Sequence, residues 1–190
     1  MLEIASNTIK ALGIFGRLSP DLETYLDAIE AKYSKKPEDN NDYDIFRHHT
    51  LTLIRDASVT DIAKQLDLLQ ELKQFLPYKL KIQRLFVKDE VTMPGAQHIA
   101  AEFGLDQTQK LLHFVHERIG DVVIKTPYIK IVWFVPKENQ QKVIEELRDL
   151  KELEFTDFYL VSNKQNDANT IYTSTPVSYT HLTLPTIYSV

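Results

Sequence analysis

The chain has 190 residues, of which 43% are hydrophobic and 26% are charged, a composition typical of a soluble globular protein. Its net charge of −5 argues against a surface that coats nucleic acid through charge alone, although it leaves a local basic groove open. The absence of cysteine excludes disulfide bonds and thiolate metal ligands. This composition suits the reducing cytoplasm, where we expect the protein to reside.

Neither membrane nor dinucleotide signatures are found along the chain. No apolar run approaches the length of a membrane span, and the start Met1-Leu2-Glu3-Ile4 lacks the basic-then-apolar pattern of a signal peptide. The 5 glycines are not spaced as a phosphate loop or a dinucleotide fingerprint. We therefore expect no membrane contact.

The first part of the chain alternates predicted strands with a predicted helix. Residues 8–15 are apolar and predict a first strand, and residues 16–20 predict a turn. Ser19 is a typical N-cap for the helix that follows, because a proline and acidic residues occupy its first turn. The polar residues 34–42 predict a loop, and residues 44–54 predict a second strand.

The middle of the chain predicts a helix, a hairpin and another helix. A helix follows Ser58 and is ended by Pro77. Residues 78–87 alternate in polarity and predict one half-buried strand, with residues 97–103 as its antiparallel partner. After Gly104, the apolar spacing predicts a helix whose inward residues are Leu111, Leu112, Val115 and Ile119.

The last part of the chain predicts further strands around one helix. Residues 126–136 form an apolar run bounded by prolines, and residues 138–150 have helical spacing. A strand over 154–161, a loop over 162–169 and a last strand from Thr170 follow. The order β-α-β-α-β-β-α-β-α-β-β predicts an α+β protein with two similar lobes of antiparallel or mixed sheet and helices outside.

Residues 177–190 require separate treatment. Residues 177–186, V-S-Y-T-H-L-T-L-P-T, are similar to the in-frame translation of a transposon-type sequencing adapter. We therefore expect residues 1–176 to form a single bilobal domain and residues 177–190 to be a non-native tail. On this interpretation His181, which stands in a histidine-x-threonine-leucine pattern, belongs to no functional site.

The second predicted strand contains two adjacent histidines and two threonines. Because side chains of a strand alternate between faces, it predicts one polar and one mostly apolar face. The polar face would carry His48, Thr50 and Thr52, and the other face His49, Leu51 and Leu53. A histidine beside a hydroxyl could line a site, whereas the structural alternative is a half-buried strand with a solvated face.

The order of elements, with His48-x-Thr50-Leu51 on the second strand, resembles the two-histidine phosphoesterase superfamily, which includes RNA ligase-like and cyclic phosphodiesterase proteins. The resemblance covers nearly all of residues 8–176. It implies a bilobal fold in which two histidine-x-threonine/serine strands face each other across a groove. One histidine would act as general base and the other as general acid on a cyclic phosphodiester, without metal or cofactor. The hydroxyl residues would hold the phosphate oxygens.

The second motif implied by this resemblance departs from the pattern. Lys130 stands where the second histidine would be, and Val132 where the hydroxyl residue would be. In one interpretation His48 and Thr50 are catalytic and Lys130 binds substrate, a phosphodiester of a nucleotide or an RNA end. In the other, the chain is an inactive module that binds nucleotide or RNA phosphate. A monomer is expected in both.

Other histidines offer weaker candidates. His113 and His116 lie three apart on a predicted helix and could contact a metal, but no third ligand is evident. We expect a solvated helix face there and no metal site. His98 lies in a predicted strand, as a core or a surface residue.

Aromatic residues near the predicted site have two interpretations. Tyr128 and Phe46 could stack on a nucleobase at the rim of a groove, although packing in the core explains them as well. Trp133 has apolar neighbours on both sides, so we expect it to pack in the core.

Overall fold

The structure, a computed structural model, describes residues 9–35, 47–89, 95–164 and 170–173. Phe46 and the predicted tail at 177–190 therefore lie outside the described residues. In chain order the elements are β1 (Ile9–Leu18), α1 (Pro20–Tyr33), β2 (His48–Thr50), β3 (Ile54–Ala57), α2 (Val59–Leu72), β4 (Tyr78–Lys81), β5 (Arg84–Asp89), β6 (Gln97–Glu102), α3 (Gln109–Ile119), β7 (Tyr128–Val132), α4 (Lys137–Glu146), β8 (Glu152–Lys164) and β9 (Thr170–Thr173).

The strands form two antiparallel sheets. The large sheet has the order β2-β1-β8-β4, with β3 also paired to β1 and β9 paired to β8. The small sheet has the order β5-β6-β7. Because every pairing is antiparallel and the helices lie between strands in sequence, the fold is α+β, as the order of predicted elements indicates.

The helices cover one face of each sheet. Helices α2 and α3 pack on the large sheet around a core that includes Leu12, Ile14, Leu69, Leu112, Val115 and Phe158. Helices α1 and α4 pack on the small sheet and one end of the large sheet, around Leu26, Ile29, Ile99, Ile131, Val143 and Phe155. We call the face of each sheet that points away from these helices its open face.

Two helix starts were predicted correctly. Ser19 is the N-cap of α1, with Pro20 at the first helical position. Ser58 is the N-cap of α2 and forms a capping box with Asp61, in which the Ser58 hydroxyl accepts the Asp61 N–H and the Asp61 carboxylate accepts the Ser58 N–H. None of the helices in the described part of the chain is long and apolar enough to cross a membrane.

The predicted turn at residues 16–20 starts too early, because β1 continues to Leu18 and only Ser19 separates it from α1. Strand β1 lies between β2 and β8, and Gly16 pairs with His49 on one side and Phe158 on the other. A Cβ atom at Gly16 would lie 2.1 Å from the hydroxyl oxygen of Tyr78. The glycine therefore serves close packing within a strand and not a change of chain direction.

The single strand predicted over residues 78–87 is also wrong. It is divided into β4 in the large sheet and β5 in the small sheet. The change occurs at two consecutive amides, since the Ile82 N–H donates to the Lys151 carbonyl and the Gln83 N–H donates to the Glu102 carbonyl. The alternation of polarity ends at this point, since Gln83 and Arg84 are both polar and residues 85–87 are all apolar.

The last long strand exceeds its predicted bounds of 154–161. Strand β8 runs over Glu152–Lys164 because it pairs with β4 near its start and with β1 over most of its length. Residues 162–164, predicted as the start of a loop, belong to β8, and residues 165–169 lie outside the described residues. The last strand from Thr170 is confirmed as β9.

Candidate functional site

Strand β2 places His48 and Thr50 together on the open face of the large sheet. Both residues are half-buried, whereas His49 between them is buried. His48 lies opposite Arg17 and Thr50 opposite Phe15 on β1. The Phe15 and His48 rings meet edge to face, with centroids 4.7 Å apart. The structure thus shows the two side chains on one face, as strand alternation predicts, and their catalytic role stays a prediction.

Thr52 does not share that face, contrary to the sequence-based expectation. The N–H groups of Leu51 and Thr52 both donate to the Ile14 carbonyl, so the regular alternation of β2 ends after Thr50. Thr52 is fully buried, and its hydroxyl accepts the Ile14 N–H at 2.9 Å and donates to Gln65 Oε1 at 2.9 Å. Its side chain therefore links β1 to α2 through these two hydrogen bonds.

His49 is a core residue. Its Nδ1 atom lies 3.0 Å from the Tyr78 hydroxyl, and its ring packs against Phe103 and Phe155. Burial, with a smaller effect from neighbouring His48, lowers the pKa of His49 from 6.5 to about 3. Because its imidazole is neutral near neutral pH and only 1% exposed, we assign it to stability and not to the site.

We expect His49 to make the protein sensitive to acid. Its folded pKa is depressed, so between pH 6.5 and about 3 the unfolded chain binds the proton and the folded chain does not. The contribution of His49 to stability should fall by about 1.6 kcal/mol between pH 6.5 and pH 5. Urea unfolding of the wild type and of His49→Phe at both pH values measures the difference. Equal losses of stability in the two proteins would contradict this assignment.

The residue before the site, Arg47, is buried in an ion cluster with helix α1. Its Nη1 atom lies 2.7 Å from Glu23 and 2.6 Å from Asp27, and its Nη2 atom lies 2.7 Å from Glu30. The Arg47 side chain is 5% exposed. Burial raises the pKa of the Glu23 carboxyl, against the opposing effect of the guanidinium. One guanidinium therefore pairs with all three carboxylates, while Arg17 also acts on Glu23 and Asp27 is 69% exposed.

The same cluster joins β2 to β7. Arg47 Nε donates to the Ile131 carbonyl at 2.5 Å, and Glu30 Oε2 accepts the Trp133 N–H at 3.2 Å. Since Arg47 immediately precedes His48, its side chain fixes the start of β2 against the end of β7. The junction of the two sheets therefore lies beside the site residue.

Lys130 lies on β7, on the open face of the small sheet. It pairs with Ala100 of β6, and its Nζ atom lies 5.0 Å from the centre of the Trp133 ring. His48 and Lys130 are thus on the open faces of two sheets whose strands β2 and β7 are joined through Arg47. Lys130 as a substrate-binding residue stays a prediction.

Val132 does not lie beside Lys130 on that face. The pairing of β6 with β7 shifts, so that Ala100 faces Lys130 while Ile99 faces Val132. Both Ile131 and Val132 are fully buried in the core that α1 and α4 cover. The residue expected at the hydroxyl position of a second motif is therefore a core residue, and the next side chain near Lys130 is Trp133.

Arg17 and Tyr159 border the site and were not predicted from the sequence. Arg17 is exposed on β1 opposite His48, and it was assigned to a turn. Tyr159 of β8 is 3% exposed and stacks on Phe15 with ring centroids 5.7 Å apart. Burial raises the pKa of the Tyr159 hydroxyl, with a smaller opposing effect from Arg17. The buried alternation of Ile14, Gly16 and Leu18 was the signal that could have placed Arg17 on a strand.

The other candidate histidines lie elsewhere. The imidazoles of His113 and His116 are exposed on α3, where His113 Nε2 is 3.3 Å from Glu117 Oε1, consistent with a solvated face. His98 is fully buried against Trp133 and Phe134, and its Nδ1 atom accepts the Phe134 N–H at 3.0 Å. Trp133 is 7% exposed, which confirms that it packs in the core.

Comparisons with known proteins give similarities at the level of overall structure. No protein-family model and no curated protein matches the chain. Solved structures that it resembles include Kluyveromyces marxianus Usb1 with uridine monophosphate, at 9% identity and a TM-score of 0.48 over 88% of this chain and 98% of that one. A second Usb1 structure from the same organism has 8% identity and a TM-score of 0.49 over 87% and 98%. E. coli LigT complexed with phosphate has 12% identity and a TM-score of 0.48 over 87% and 94%.

Proposed function

We propose that the protein acts on phosphodiesters of nucleotides or RNA ends as a two-histidine phosphoesterase-like protein, with one histidine motif, His48-x-Thr50, among the residues that the structure describes. The observation that carries this proposal is the shared position of His48 and Thr50 on an open sheet face, next to the junction with the strand that bears Lys130. A cyclic phosphodiester bound at this junction would meet an imidazole, a hydroxyl and an ammonium group.

The imidazole, hydroxyl and ammonium groups can each serve one part of the opening of a cyclic phosphodiester. Water adds to phosphorus, one ester P–O bond breaks, and the released sugar oxygen takes up a proton. Imidazole ordinarily titrates near neutral pH, so His48 can take the proton from the attacking water, while the leaving oxygen on the opposite side of phosphorus takes up a proton from solvent water. The Thr50 hydroxyl can donate to a phosphate oxygen, and Lys130 supplies a positive charge to the anionic ester.

A second candidate function is binding without turnover. It is favoured by the burial of Val132, because the small sheet then offers Lys130 but no hydroxyl residue two positions further along β7. A protein with this arrangement would hold a phosphate ester between His48, Thr50 and Lys130. Its biological effect would then depend on sequestering or sensing the ligand.

Turnover assays separate the two functions. The wild-type chain should open a 2′,3′-cyclic mononucleotide or a cyclic-ended RNA, and a chelator should leave the rate unchanged. Binding of these compounds with no product over long incubation would select the second function. Neither binding nor turnover with any of them would contradict both.

Lys130→Ala should weaken the affinity for the cyclic mononucleotide by about tenfold, because a charge-assisted contact to phosphate is worth about 1.5 kcal/mol or more. The dependence of affinity on salt should also decrease, since one phosphate contact is lost. Lys142→Ala is the matched control, because Lys142 is an exposed lysine on α4, which covers the other face of the small sheet. Equal affinities of the two variants would remove Lys130 from the site.

A further inference from the structure

The open face of the small sheet carries cations that lie over aromatic rings. Arg84 Cζ is 5.2 Å from the centre of the Phe86 ring, and Lys88 Nζ is 5.5 Å from the centre of the Tyr128 ring. Together with Lys130, whose ammonium lies over the buried ring of Trp133, these residues form what we call the cation–ring stripe: Arg84, Phe86, Lys88, Tyr128 and Lys130.

Strand register explains why these side chains are neighbours. Arg84, Phe86 and Lys88 are alternate residues of β5 and share one face. Phe86 pairs with Ala100 of β6, and Ala100 pairs in turn with Lys130 of β7. Ala100 has only a methyl side chain and is fully buried between the two outer strands. The Phe86 and Tyr128 rings meet edge to face, with centroids 5.8 Å apart.

The charge of this face is opposite in sign to that of the whole chain. The residues described on it include three cations, Arg84, Lys88 and Lys130, and one carboxylate, Glu102, which pairs with Arg84. The chain as a whole has a net charge of −5. A local excess of cations on an acidic protein indicates an anionic partner at this face.

The combination of groups indicates which anion fits. Lysine ammonium groups bind phosphates, whereas aromatic rings and the planar guanidinium of arginine stack on nucleobases. The face is about 10 Å across its three strands and about 13 Å from Arg84 to Lys88, judged from strand spacing and rise. This area is suited to about two nucleotides, since four-stranded RNA-binding sheets stack two or three bases.

We infer that the cation–ring stripe binds the nucleotides adjoining the phosphodiester at His48, so that the ligand is the end of a single-stranded polynucleotide rather than a mononucleotide. This inference rests on the proposed function, which leaves both ligands open. Lys130 belongs to the site and to the stripe, and it connects the reacting phosphate with the neighbouring nucleotides. The stripe therefore determines preference for chain length.

Chain-length dependence of binding tests the inference. Labelled single-stranded RNA and DNA of about eight nucleotides would be titrated with the full chain by fluorescence anisotropy, and uridine monophosphate by calorimetry. The oligonucleotide should bind at least about tenfold more tightly than the mononucleotide. Lys88→Ala should weaken oligonucleotide binding about fivefold and weaken mononucleotide binding less. It should also reduce the salt slope, which is the slope of log affinity against log salt concentration, by about one.

Arg84→Lys distinguishes stacking from charge, because it keeps the cation and removes the planar group from an exposed position. It should weaken oligonucleotide binding without reducing the salt slope, whereas the control Lys142→Ala should change affinity by less than about twofold. The inference that the stripe binds nucleotides would be overturned if short and long ligands bound equally well and neither Lys88→Ala nor Arg84→Lys changed their affinity. The proposed function would not be affected by that result. Failure of every phosphodiester to bind the wild type would instead overturn the proposed function.

Discussion

His48→Ala is expected to lower kcat/KM for opening of a 2′,3′-cyclic mononucleotide by about 10²- to 10⁴-fold. This is the usual range when a positioned acid–base group is removed. The reason lies in the geometry: His48 is half-buried on an open sheet face beside Thr50, and Phe15 contacts the edge of its ring. Replacement by alanine removes the imidazole that would move the proton.

Control variants make this expectation specific. His113→Ala deletes an exposed imidazole on α3 and should leave kcat/KM within about twofold, because surface substitutions away from a site have small effects. Circular dichroism and the urea midpoint would verify that His48→Ala is folded. Turnover by a folded His48→Ala protein at the wild-type rate would exclude proton transfer by His48.

Arg47→Met is expected to lower the free energy of unfolding by about 3–5 kcal/mol, the range seen when one partner of a buried ion pair is removed. The variant leaves Glu23, Asp27 and Glu30 close together without their cation, and it leaves the Ile131 carbonyl without the Arg47 donor. Urea unfolding at neutral pH measures the loss. A loss below about 1 kcal/mol would show that the cluster contributes little to stability.

The pH dependence of the Arg47→Met loss identifies its cause. Without the cation, the three carboxylates repel one another and their protonation relieves the repulsion, so the difference from wild type should shrink as the pH falls towards 4. Arg148→Met is the control, because Arg148 is exposed on its own surface pair with Glu145. It should change stability by no more than about 0.5 kcal/mol.

Features that depend on local chemistry were predictable from the sequence. Ser19 and Ser58 start helices because capping needs only neighbouring residues, and His48 and Thr50 share a face because alternation is local. The acidic half of the ion cluster could also be recognised in the sequence by its spacing. Glu23, Asp27 and Glu30 are spaced by four and three residues, so they share one face of α1, although nothing near Arg47 indicates that it contacts them.

Features that depend on partners distant in sequence were not predictable. Gly16 looks like a turn residue until Tyr78 is known to occupy the space of its missing Cβ. The division of β4 from β5 depends on Lys151 and Glu102, which accept consecutive amides. Thr52 leaves the open face because two amides share the Ile14 carbonyl, and Val132 leaves it because the register of β6 and β7 shifts. Each case involves pairing between elements, and residue type alone does not encode it.

The register shift in β7 limits how a second histidine-x-threonine motif could be engineered into this scaffold. Copying the spacing of His48 and Thr50 would give Lys130→His with Val132→Thr, and the new hydroxyl would enter the core opposite Ile99. The buried ring of Trp133 already lies against the ammonium group of Lys130. A designer would therefore have to remove the extra residue in β7, or recruit a hydroxyl from another strand, before a second histidine could act with a phosphate ligand.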